Sequence, residues 1–493
     1  MLRKIRILLA FVFFIAITML FLDFTGTTHQ WFGWMPKIQF LPAVLSLNVI
    51  IIALLVVLTL LLGRVYCSVI CPMGVFQDVI AWISRKFKKK NPYSYSKPKN
   101  WLRFPVLVLF IIALVAGVGS LVALLAPYSS YGRIASNLLQ PIYVFANNLI
   151  ASVAEKQEVF DFYQVDIWVR AMPVLIIAAV TFVIVFILAW IGGRTYCNTI
   201  CPVGTVLGFL ARFSWLKPVI DEDKCNKCGL CSRNCKAAAI NSKEQKIDYS
   251  RCVTCMNCIG KCKQHAISYC HPTSKKAETP AGPVDESRRA MLVSTGILAA
   301  TAVVKAQEKT VDGGLAVIED KQIPERQTPL TPAGSLSAKN LASHCTGCQL
   351  CVAACPNGVL RPSTGLMDMM QPTMSYERGY CRPECTRCSD VCPAGAIRPI
   401  TREEKSSTQI GHAVWIKKNC VVFTDNVSCG NCARHCPSGA IQMVPSDPND
   451  EASPKIPAID VERCIGCGAC ENLCPSRPFS AIYVEGHEVH KTI

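Results

Sequence analysis

The sequence predicts a multi-domain protein in which an α-helical transmembrane bundle, built from two repeated hairpins plus a fifth span, is joined to small cysteine-rich α+β domains. Three observations support this prediction. The chain of 493 residues is 51% apolar, and the apolar residues are concentrated in long runs. Of its 29 cysteines, 24 fall into six groups of four at tight, repeated spacings. A twelve-residue motif within the apolar part occurs twice.

Five apolar runs are candidates for membrane spans, because a bilayer core of about 30 Å needs roughly 20 apolar residues in a helix. They cover 7–23, 39–62, 104–126, 171–192 and 290–304, and the last is the shortest. Any single run could be a buried helix, but several in one chain favour a membrane domain. We therefore expect a four-span membrane domain over 1–215 and a fifth span within 271–306.

Basic residues predict the sidedness, since Lys and Arg concentrate in cytoplasmic connections. They cluster before the first run and between the second and third, at Arg3, Lys4, Arg6, Arg64, Arg85, Lys86, Lys88, Lys89, Lys90, Lys97, Lys99 and Arg103. This pattern places the N-terminus and 194–289 in the cytoplasm, with 305–493 in the periplasm beyond a bacterial inner membrane. The net charge of +17 then serves largely to orient the chain, and no nucleic-acid-binding motif accompanies it.

The fifth run begins with Ser287-Arg288-Arg289, which resembles a twin-arginine export signal placed inside the chain. The alternative is an ordinary basic flank of a span. Pro- and Gly-rich segments on both sides, 271–287 and 307–340, predict linkers. Whether the chain is cleaved after the span stays open.

The repeated motif places four cysteines at the ends of the two hairpins. Residues 63–74 match 193–204 at eight of twelve positions with a constant offset of 130, and each copy contains C-x-x-x-C-P. Duplication suggests pseudo-symmetry that would bring the copies together. We take Cys67, Cys71, Cys197 and Cys201 as candidate catalytic residues, with Arg64 and Arg194 beside them.

Three interpretations of these four cysteines remain open. They could bind one metal or iron–sulfur centre, which would be a seventh centre in the chain. They could form redox-active dithiol pairs, because thiols at i and i+4 share one face of a helix. They could also be buried cysteines that only pack the hairpins. Both copies end at the cytoplasmic face in this prediction, where a quinone head group could dock.

The next cysteines predict a two-cluster ferredoxin domain over 216–270. Two runs of C-x2-C-x2-C-x3-C follow each other, and in such runs the fourth Cys of each ligates the other cluster. One predicted 4Fe–4S ligand set is therefore Cys225, Cys228, Cys231 and Cys262, and the other is Cys252, Cys255, Cys258 and Cys235. Zinc is the alternative for C-x2-C pairs, but this cadence favours iron–sulfur clusters. Lys236 and Lys263 stand where a proline usually follows the fourth Cys.

Four further groups predict a domain with four clusters over 341–493, which brings the expected total to about six. All four end in Cys-Pro, and their iron ligands are Cys345, Cys348, Cys351, Cys355, Cys381, Cys385, Cys388, Cys392, Cys420, Cys429, Cys432, Cys436, Cys464, Cys467, Cys470 and Cys474. Spacing alone leaves their pairing open. The regular spacings exclude a disulfide framework as the main role of the cysteines. Both cysteine-rich domains should have α+β ferredoxin-like folds.

These motifs resemble a known family. Residues 1–270 resemble the NapH-type membrane ferredoxin of periplasmic nitrate reductase systems, and 287–493 resemble the NapG-type four-cluster ferredoxin, so that the chain resembles a NapH–NapG fusion. The membrane half is also similar to NosR and CcoG, although no flavin-attachment motif supports NosR. By resemblance to multi-cluster subunits, the first cysteine group of the last domain should pair with the fourth, and the second with the third. The alternative pairs the first cysteine group with the second and the third group with the fourth.

The resemblance implies a quinol dehydrogenase or electron-transfer subunit of anaerobic respiration. Such a protein would take electrons from the membrane quinone pool and pass them to a periplasmic reductase or c-type cytochrome. A CcoG- or NosR-like redox factor for metal-centre maturation is the alternative, and a redox sensor is a third. The expected route has a gap, because a core of about 30 Å would separate the C-x-x-x-C motifs from the four outer clusters.

Overall fold

The computed structural model describes residues 2–87, 93–156, 163–271, 311–312, 316–317 and 319–493. We divide them into a helical domain (2–215), a first ferredoxin module (216–271) and a second ferredoxin module (319–493). The expected fifth span and Arg288-Arg289 lie outside the described residues. One hydrophobic cluster extends from the helical domain into both modules, so the three regions share a core.

The helical domain is built from α-helices linked by short turns. In chain order they are α1 (Leu2–Leu22), α2 (Thr27–Phe32), α3 (Phe40–Leu45), α4 (Val49–Leu62), α5 (Val65–Val69), α6 (Pro72–Phe87), α7 (Asn100–Val115), α8 (Gly119–Leu125), α9 (Pro127–Ile134), α10 (Gln140–Glu155), α11 (Met172–Gly192), α12 (Thr195–Thr199) and α13 (Pro202–Leu210). A π-helical turn, Ala135–Leu139, joins α9 to α10.

Two of these helices are long and apolar enough to cross a membrane. Both α1 and α11 have 21 residues, which corresponds to about 31 Å at 1.5 Å per residue. The prediction of unbroken spans at 39–62 and 104–126 is not met. The first run divides into α3 and α4 near Leu47 (φ 52°), and the second divides into α7 and α8 at Gly117 (φ 72°). A left-handed residue cannot continue a right-handed helix, so each run breaks there.

The long helices leave many of their apolar side chains uncovered by protein. Only 22% of the apolar window of α11 is buried. Leu8 and Phe11 on α1, Ile112 on α7 and Ile191 on α11 are each more than half exposed. Burying apolar area is the main drive of folding in water, so an exposed apolar belt of this extent fits an apolar surrounding.

The segments that follow α4 and α11 turn back into the helical domain. Gly63 (φ 72°) and Gly193 (φ 68°) end the two helices with a conformation that glycine adopts without strain. Phe76 near the start of α6 packs on Phe182, in the middle of α11, with ring centroids 6.0 Å apart. Phe87 at the end of α6 packs against the last turn of α11. The repeated motif therefore begins at the end face of the helical domain, where the sequence places it, but continues inward towards the level of the middle of α11.

The two modules consist of short helices and two-stranded antiparallel sheets. In the first module β1 (Lys217–Ile220) pairs with β4 (Ile267–Cys270) and β2 (Ile240–Asn241) with β3 (Lys246–Ile247), next to α14 (Leu230–Arg233). Another pair, β5 (Val311–Asp312) and β6 (Ala316–Val317), precedes the second module. There β7 (Leu360–Pro362) pairs with β8 (Pro372–Met374), β9 (Thr408–Trp415) with β12 (Ile482–Thr492), and β10 (Ile441–Asp447) with β11 (Asp450–Ile459).

The helices of the second module are short and adjoin its cysteine groups. They are α15 (Ala338–His344), α16 (Leu350–Ala354), α17 (Arg387–Val391), α18 (Arg402–Ser407), α19 (Val421–Thr424), α20 (Asn431–Arg434) and α21 (Ala469–Asn472). The pairing of β9 with β12 sets Ala413 opposite Val484.

The two modules contact opposite ends of the helical domain. At the C-terminal end of α4, the Leu62 carbonyl accepts a hydrogen bond from Tyr269 of the first module (2.8 Å). Just before the N-terminal end of α11, the ring of Trp168 lies under Arg361 and Arg378 of the second module, at 4.6 and 4.8 Å. The helical domain therefore separates the two cysteine-rich modules.

Candidate metal centres

The first module gathers its eight cysteines around two cavities. One is lined by Cys225, Cys228, Cys231 and Cys262. The other is lined by Cys235, Cys252, Cys255 and Cys258. These are the two sets that the spacing predicts, with the fourth cysteine of each run crossing to the other set.

The second module pairs its cysteine groups in chain order, and the predicted pairing of first with fourth and second with third is wrong. Cys351 interacts electrostatically with Cys348, Cys345 and Cys392, so the first group is completed by the last cysteine of the second group. Cys388 likewise interacts with Cys381, Cys385 and Cys355.

The third and fourth groups are paired in the same way. Cys470 interacts with Cys464, Cys467 and Cys436, and Cys432 with Cys429 and Cys474. Cys420 is the remaining buried cysteine of the third group. The physical reason is loop closure: along the chain only the hairpin of β7 and β8, or that of β10 and β11, separates the two groups of each pair.

The backbone around the cysteines is arranged to stabilise negatively charged sulfur. The fourth cysteine of a group accepts an N–H from a residue four to seven positions later: Ala239 to Cys235 at 3.5 Å, Ala266 to Cys262 at 3.3 Å, Ile397 to Cys392 at 3.4 Å and Ala481 to Cys474 at 3.3 Å. Hydrogen bonds to the charged form of a sulfur favour that form.

Burial opposes charge on these sulfurs. It raises the pKa of Cys235 and of Cys348 to about 11, and the neighbouring thiols Cys255 and Cys392 respectively add to the rise. Four thiolates gathered in a buried space need a strong positive charge among them, which the iron ions of a 4Fe–4S cluster supply. Within the described ranges no His, Cys, Asp or Glu side chains converge on one point that could hold a single metal ion.

Several buried polar atoms near the first group of the second module fit a sulfide-containing group. Gln349 Nε2 and Tyr128 Oη are buried without a hydrogen-bond partner among the described residues, and the Thr346 hydroxyl interacts with the Cys348 thiol. Tyr128 interacts electrostatically with Cys348 and Cys392. Unpaired buried donors are costly, and the sulfur atoms of a cluster are acceptors for them.

The repeated motifs meet in the helical domain and bring their four cysteines together. Cys67, Cys71, Cys197 and Cys201 are each at most 4% exposed, and their thiols interact electrostatically with one another. We call this group the four-cysteine centre. The expectation that duplication would bring the two motifs together agrees with this placement.

Each motif arginine connects both copies. Arg64 approaches its own Cys67 thiol (Nη2 to Sγ 3.8 Å) and donates to the Cys197 carbonyl (3.4 Å). Arg194 approaches its own Cys197 thiol (Nη1 to Sγ 3.9 Å) and donates to the Cys67 carbonyl (2.7 Å). Both guanidinium groups are buried, and their positive charge faces the thiols, which favours an anionic centre.

The helix geometry does not match a dithiol on one helix face. Cys67 lies in α5, but Cys71 lies in the break before α6. Cys201 is the N-cap of α13, where its thiol accepts the Gly204 N–H at 3.3 Å. Proline at the first position of the next helix enforces this break, so the thiols converge across the two copies.

Tyr66 connects the four-cysteine centre with the second-module end of the helical domain. Its hydroxyl donates to Gln39 (3.0 Å) and accepts from the Phe40 N–H (3.1 Å), just before and at the start of α3. Tyr66 also interacts electrostatically with Cys71 and with Tyr128. Tyr128 in turn lies near Cys348 and Cys392. The gap expected from the sequence is thus bridged by protein side chains.

Sequence reasoning missed the residues that surround the four-cysteine centre on one side. Gln77 donates to the Cys197 thiol at 3.0 Å. Asp78 binds Arg194 (2.6 Å), Arg6 (3.2 Å) and Lys236. The signal in the sequence is that Asp78, a charged residue, stands four positions after Gly74, the last residue of the first motif copy, in a mainly apolar segment.

Comparison with protein-family models identifies iron–sulfur regions along the chain. A 4Fe-4S binding domain matches 46–90 and 173–220, which include both copies of the repeated motif. A second 4Fe-4S binding domain matches 217–240, and a 4Fe-4S dicluster domain matches 344–396 and 427–477. The two dicluster matches each span neighbouring cysteine groups, as the structure pairs them.

Curated relatives carry ferredoxin-type names. The methylamine utilization ferredoxin-type protein MauM of Methylobacillus flagellatus is 30% identical over 169 residues, which is 33% of this chain and 70% of MauM. The ferredoxin-type protein NapF of Escherichia coli is 28% identical over 159 residues, 32% of this chain and 87% of NapF. The uncharacterized protein MJ0750 of Methanocaldococcus jannaschii is 27% identical over 281 residues, which is 56% of this chain and 98% of MJ0750. No solved structure matches the chain.

Proposed function

Because the chain belongs to the family of ferredoxin-type 4Fe–4S electron-transfer proteins that includes MauM, we propose that it is a membrane-bound electron carrier. In this proposal it oxidises quinol and delivers the electrons to a periplasmic reductase or c-type cytochrome. Six sets of four cysteines in the modules hold 4Fe–4S clusters, and the four-cysteine centre holds a seventh centre. A 4Fe–4S cluster, when bound, takes up and releases electrons at a potential that its protein surroundings set.

One observation carries the proposal: cysteine sets lie in the first module, in the helical domain and in the second module, and two buried tyrosines lie between the last two of these regions. The first module binds directly over the four-cysteine centre, since Arg64 donates to the Ser250 carbonyl at 3.0 Å. On the other side, Tyr66 and Tyr128 lead to the first cysteine group of the second module. An arrangement of this kind serves electron transfer across the helical domain, and it would be superfluous in a protein that only binds a metal.

The exposed apolar side chains of the helices support a membrane location. The two 21-residue helices match the thickness of a bilayer core. The basic residues before α1 and around α6 favour a cytoplasmic first module and a periplasmic second module. The re-entrant motif is compatible with that location, because its non-helical backbone is buried in protein.

The direct test is reduction by quinol of the full chain in lipid nanodiscs, after its clusters have been assembled. We expect a reduced menaquinol analogue to bleach the cluster absorbance and an oxidised c-type cytochrome to restore it. Iron analysis of Cys201→Ser tests the seventh centre, and should give about four iron atoms per chain fewer than the wild type. Cys270→Ser, which changes a cysteine outside all seven sets, is the control. If quinol leaves the absorbance unchanged, the proposed donor is wrong.

A redox factor for metal-centre maturation is the second candidate function. The observation in its favour is the contact between the first module and the four-cysteine centre, which also includes Asn198 donating to the Ala237 carbonyl at 3.2 Å. This contact would let a cytoplasmic donor reach the four thiols. Reduction by a soluble ferredoxin alone, with quinol inert, would favour this candidate over the first.

A further inference from the structure

The loop after α1 holds a buried histidine–aspartate pair that the cysteine chemistry does not use. His29 Nδ1 lies 3.6 Å from Asp23 Oδ2, and the side chains are 11% and 6% exposed. Nδ1 of His29 faces the Asp23 carboxylate, whereas Nε2 is buried without a hydrogen-bond partner among the described residues. A buried ring nitrogen without a partner carries a desolvation cost, so the position is suited to a ligand that supplies a hydrogen bond to Nε2.

The carboxylate of Asp23 is fixed by its own loop. Its Oδ1 accepts from the Thr25 N–H (2.8 Å), the Thr25 hydroxyl (2.7 Å) and the Gly26 N–H (2.9 Å), and its Oδ2 accepts from the Thr28 N–H (2.8 Å). These bonds hold the carboxylate in its charged form beside Nδ1 of His29. A carboxylate beside one ring nitrogen orients the imidazole and leaves the other nitrogen available as a hydrogen-bond acceptor.

Aromatic residues are frequent in the segment that carries the pair, which follows the apolar helix α1. Phe24 packs on Tyr163 with ring centroids 5.7 Å apart, and Trp34 packs on Phe13 at 6.1 Å. Trp31, two residues after His29, is 77% exposed. Tryptophan and tyrosine are enriched where a membrane meets water. A ligand with a ring-shaped polar head and an apolar tail fits such a position.

The pair also adjoins the cysteine groups of the second module. A Cβ on Gly26, within the Asp23 loop, would lie 3.0 Å from Cζ of Arg387. Arg387 directly precedes Cys388, whose set includes Cys355. Through this contact the His29 loop lies beside the part of the second module that faces the helical domain.

We propose that His29 and Asp23 form the site at which quinol is oxidised, which rests on the proposed function. One quinol hydroxyl donates to Nε2 of His29, and His29 accepts its proton as the ring is oxidised. The quinol loses two protons and two electrons in total and leaves as quinone. The cysteine sets of the second module would hold the clusters that accept the two electrons, and the second proton passes to water on the exposed side of the loop.

The test compares His29→Gln with the wild type as full chains with assembled clusters in nanodiscs. Binding of heptylhydroxyquinoline N-oxide, a redox-inactive quinol analogue, is measured by fluorescence quenching. We expect the variant to bind at least tenfold more weakly, because it lacks the fixed acceptor. Its rate of reduction by quinol should fall about 100-fold, the usual contribution of a general base. Reduction by dithionite and the resulting electron paramagnetic resonance spectrum should stay unchanged, which shows an intact fold.

Gln30→Ala, an exposed neighbour on α2, is the matched control and should behave as wild type. If His29→Gln does not fold, His29→Asn provides the same comparison. A His29 variant that binds the analogue and reacts with quinol like the wild type overturns this site but leaves the proposed function standing. A wild-type protein that neither binds the analogue nor is reduced by quinol overturns both.

Discussion

The two copies of the repeated motif have the same thiols and arginines but different surroundings. Four residues beyond its motif glycine, the first copy has Asp78, preceded by Gln77. At the same offset the second copy has Gly208, preceded by Leu207. The motif itself is shared at eight of twelve positions, and the change from a charged residue to glycine lies in the helix that follows it.

The residues at this offset make different contacts with the first module in the two copies. On the first copy, Asp78 binds Lys236 of the module together with Arg194 and Arg6. On the second copy, Gly208 leaves space for the Ser250 carbonyl, to which Arg64 (3.0 Å) and Arg103 (3.1 Å) donate.

The duplicated thiols have therefore kept their symmetry, whereas the flanking positions have diverged: the first copy offers a carboxylate to the first module, and the second copy offers space for a backbone carbonyl of that module. Lys236 stands where related ferredoxin runs have proline, and its contact with Asp78 gives that departure a structural reason.

The largest expected effect comes from removing the charge on the first copy. Asp78→Asn would leave Arg194, Lys236 and Arg6 without their shared carboxylate. Breaking a buried ion pair in this way costs about 3–5 kcal/mol. We expect a loss of this size in the free energy of unfolding, measured by denaturant titration in detergent micelles. Asp221→Asn, which alters an exposed pair with Lys224, should change little. Equal effects of the two variants would contradict the role of Asp78.

A smaller effect is expected from filling the space on the second copy. A Cβ on Gly208 would collide with the Ser250 carbonyl and with the Arg103 guanidinium. Gly208→Ala should therefore cost about 1–3 kcal/mol, as overpacking usually does. It should also loosen the first module, which limited proteolysis of residues 216–223 would detect. Gly260→Ala, where a Cβ would have ordinary contacts, should be cut at the wild-type rate.

The smallest expected effect comes from making the first copy more like the second. Gln77→Leu removes one hydrogen bond to the Cys197 thiol (3.0 Å) and keeps a similar volume. Such a bond contributes about 0.5–1.5 kcal/mol, and the same denaturant titration should show a loss within that range. Leu207→Met, a volume-conserving change at the matching position of the second copy, is the control. If Gln77→Leu lowered the free energy of unfolding as much as Asp78→Asn, the prediction would be wrong, because Gln77 would then stabilise the whole four-cysteine centre and not only the Cys197 thiol.

The first module shows how far cysteine spacing predicts a site. Its two runs follow each other directly, so that only one arrangement of short loops is available, and the structure groups Cys262 with Cys225 as expected. In the second module four groups allow several arrangements. The resemblance-based choice failed there, because the contact of Cys392 with Cys351 depends on how neighbouring loops fold back.

The sequence by itself determined the cysteine inventory, the duplication and the presence of apolar helices, because spacing and apolar runs are local properties of the chain. The depth of the four-cysteine centre was decided only by tertiary structure. It depends on the reversal at Gly63 and Gly193 and on the packing of Phe76 against α11. The contacts of Asp78 with Lys236 and of Tyr66 with Tyr128 likewise join residues far apart in the chain. No local pattern encodes such pairs, since their members meet only when distant segments of the chain pack on one another.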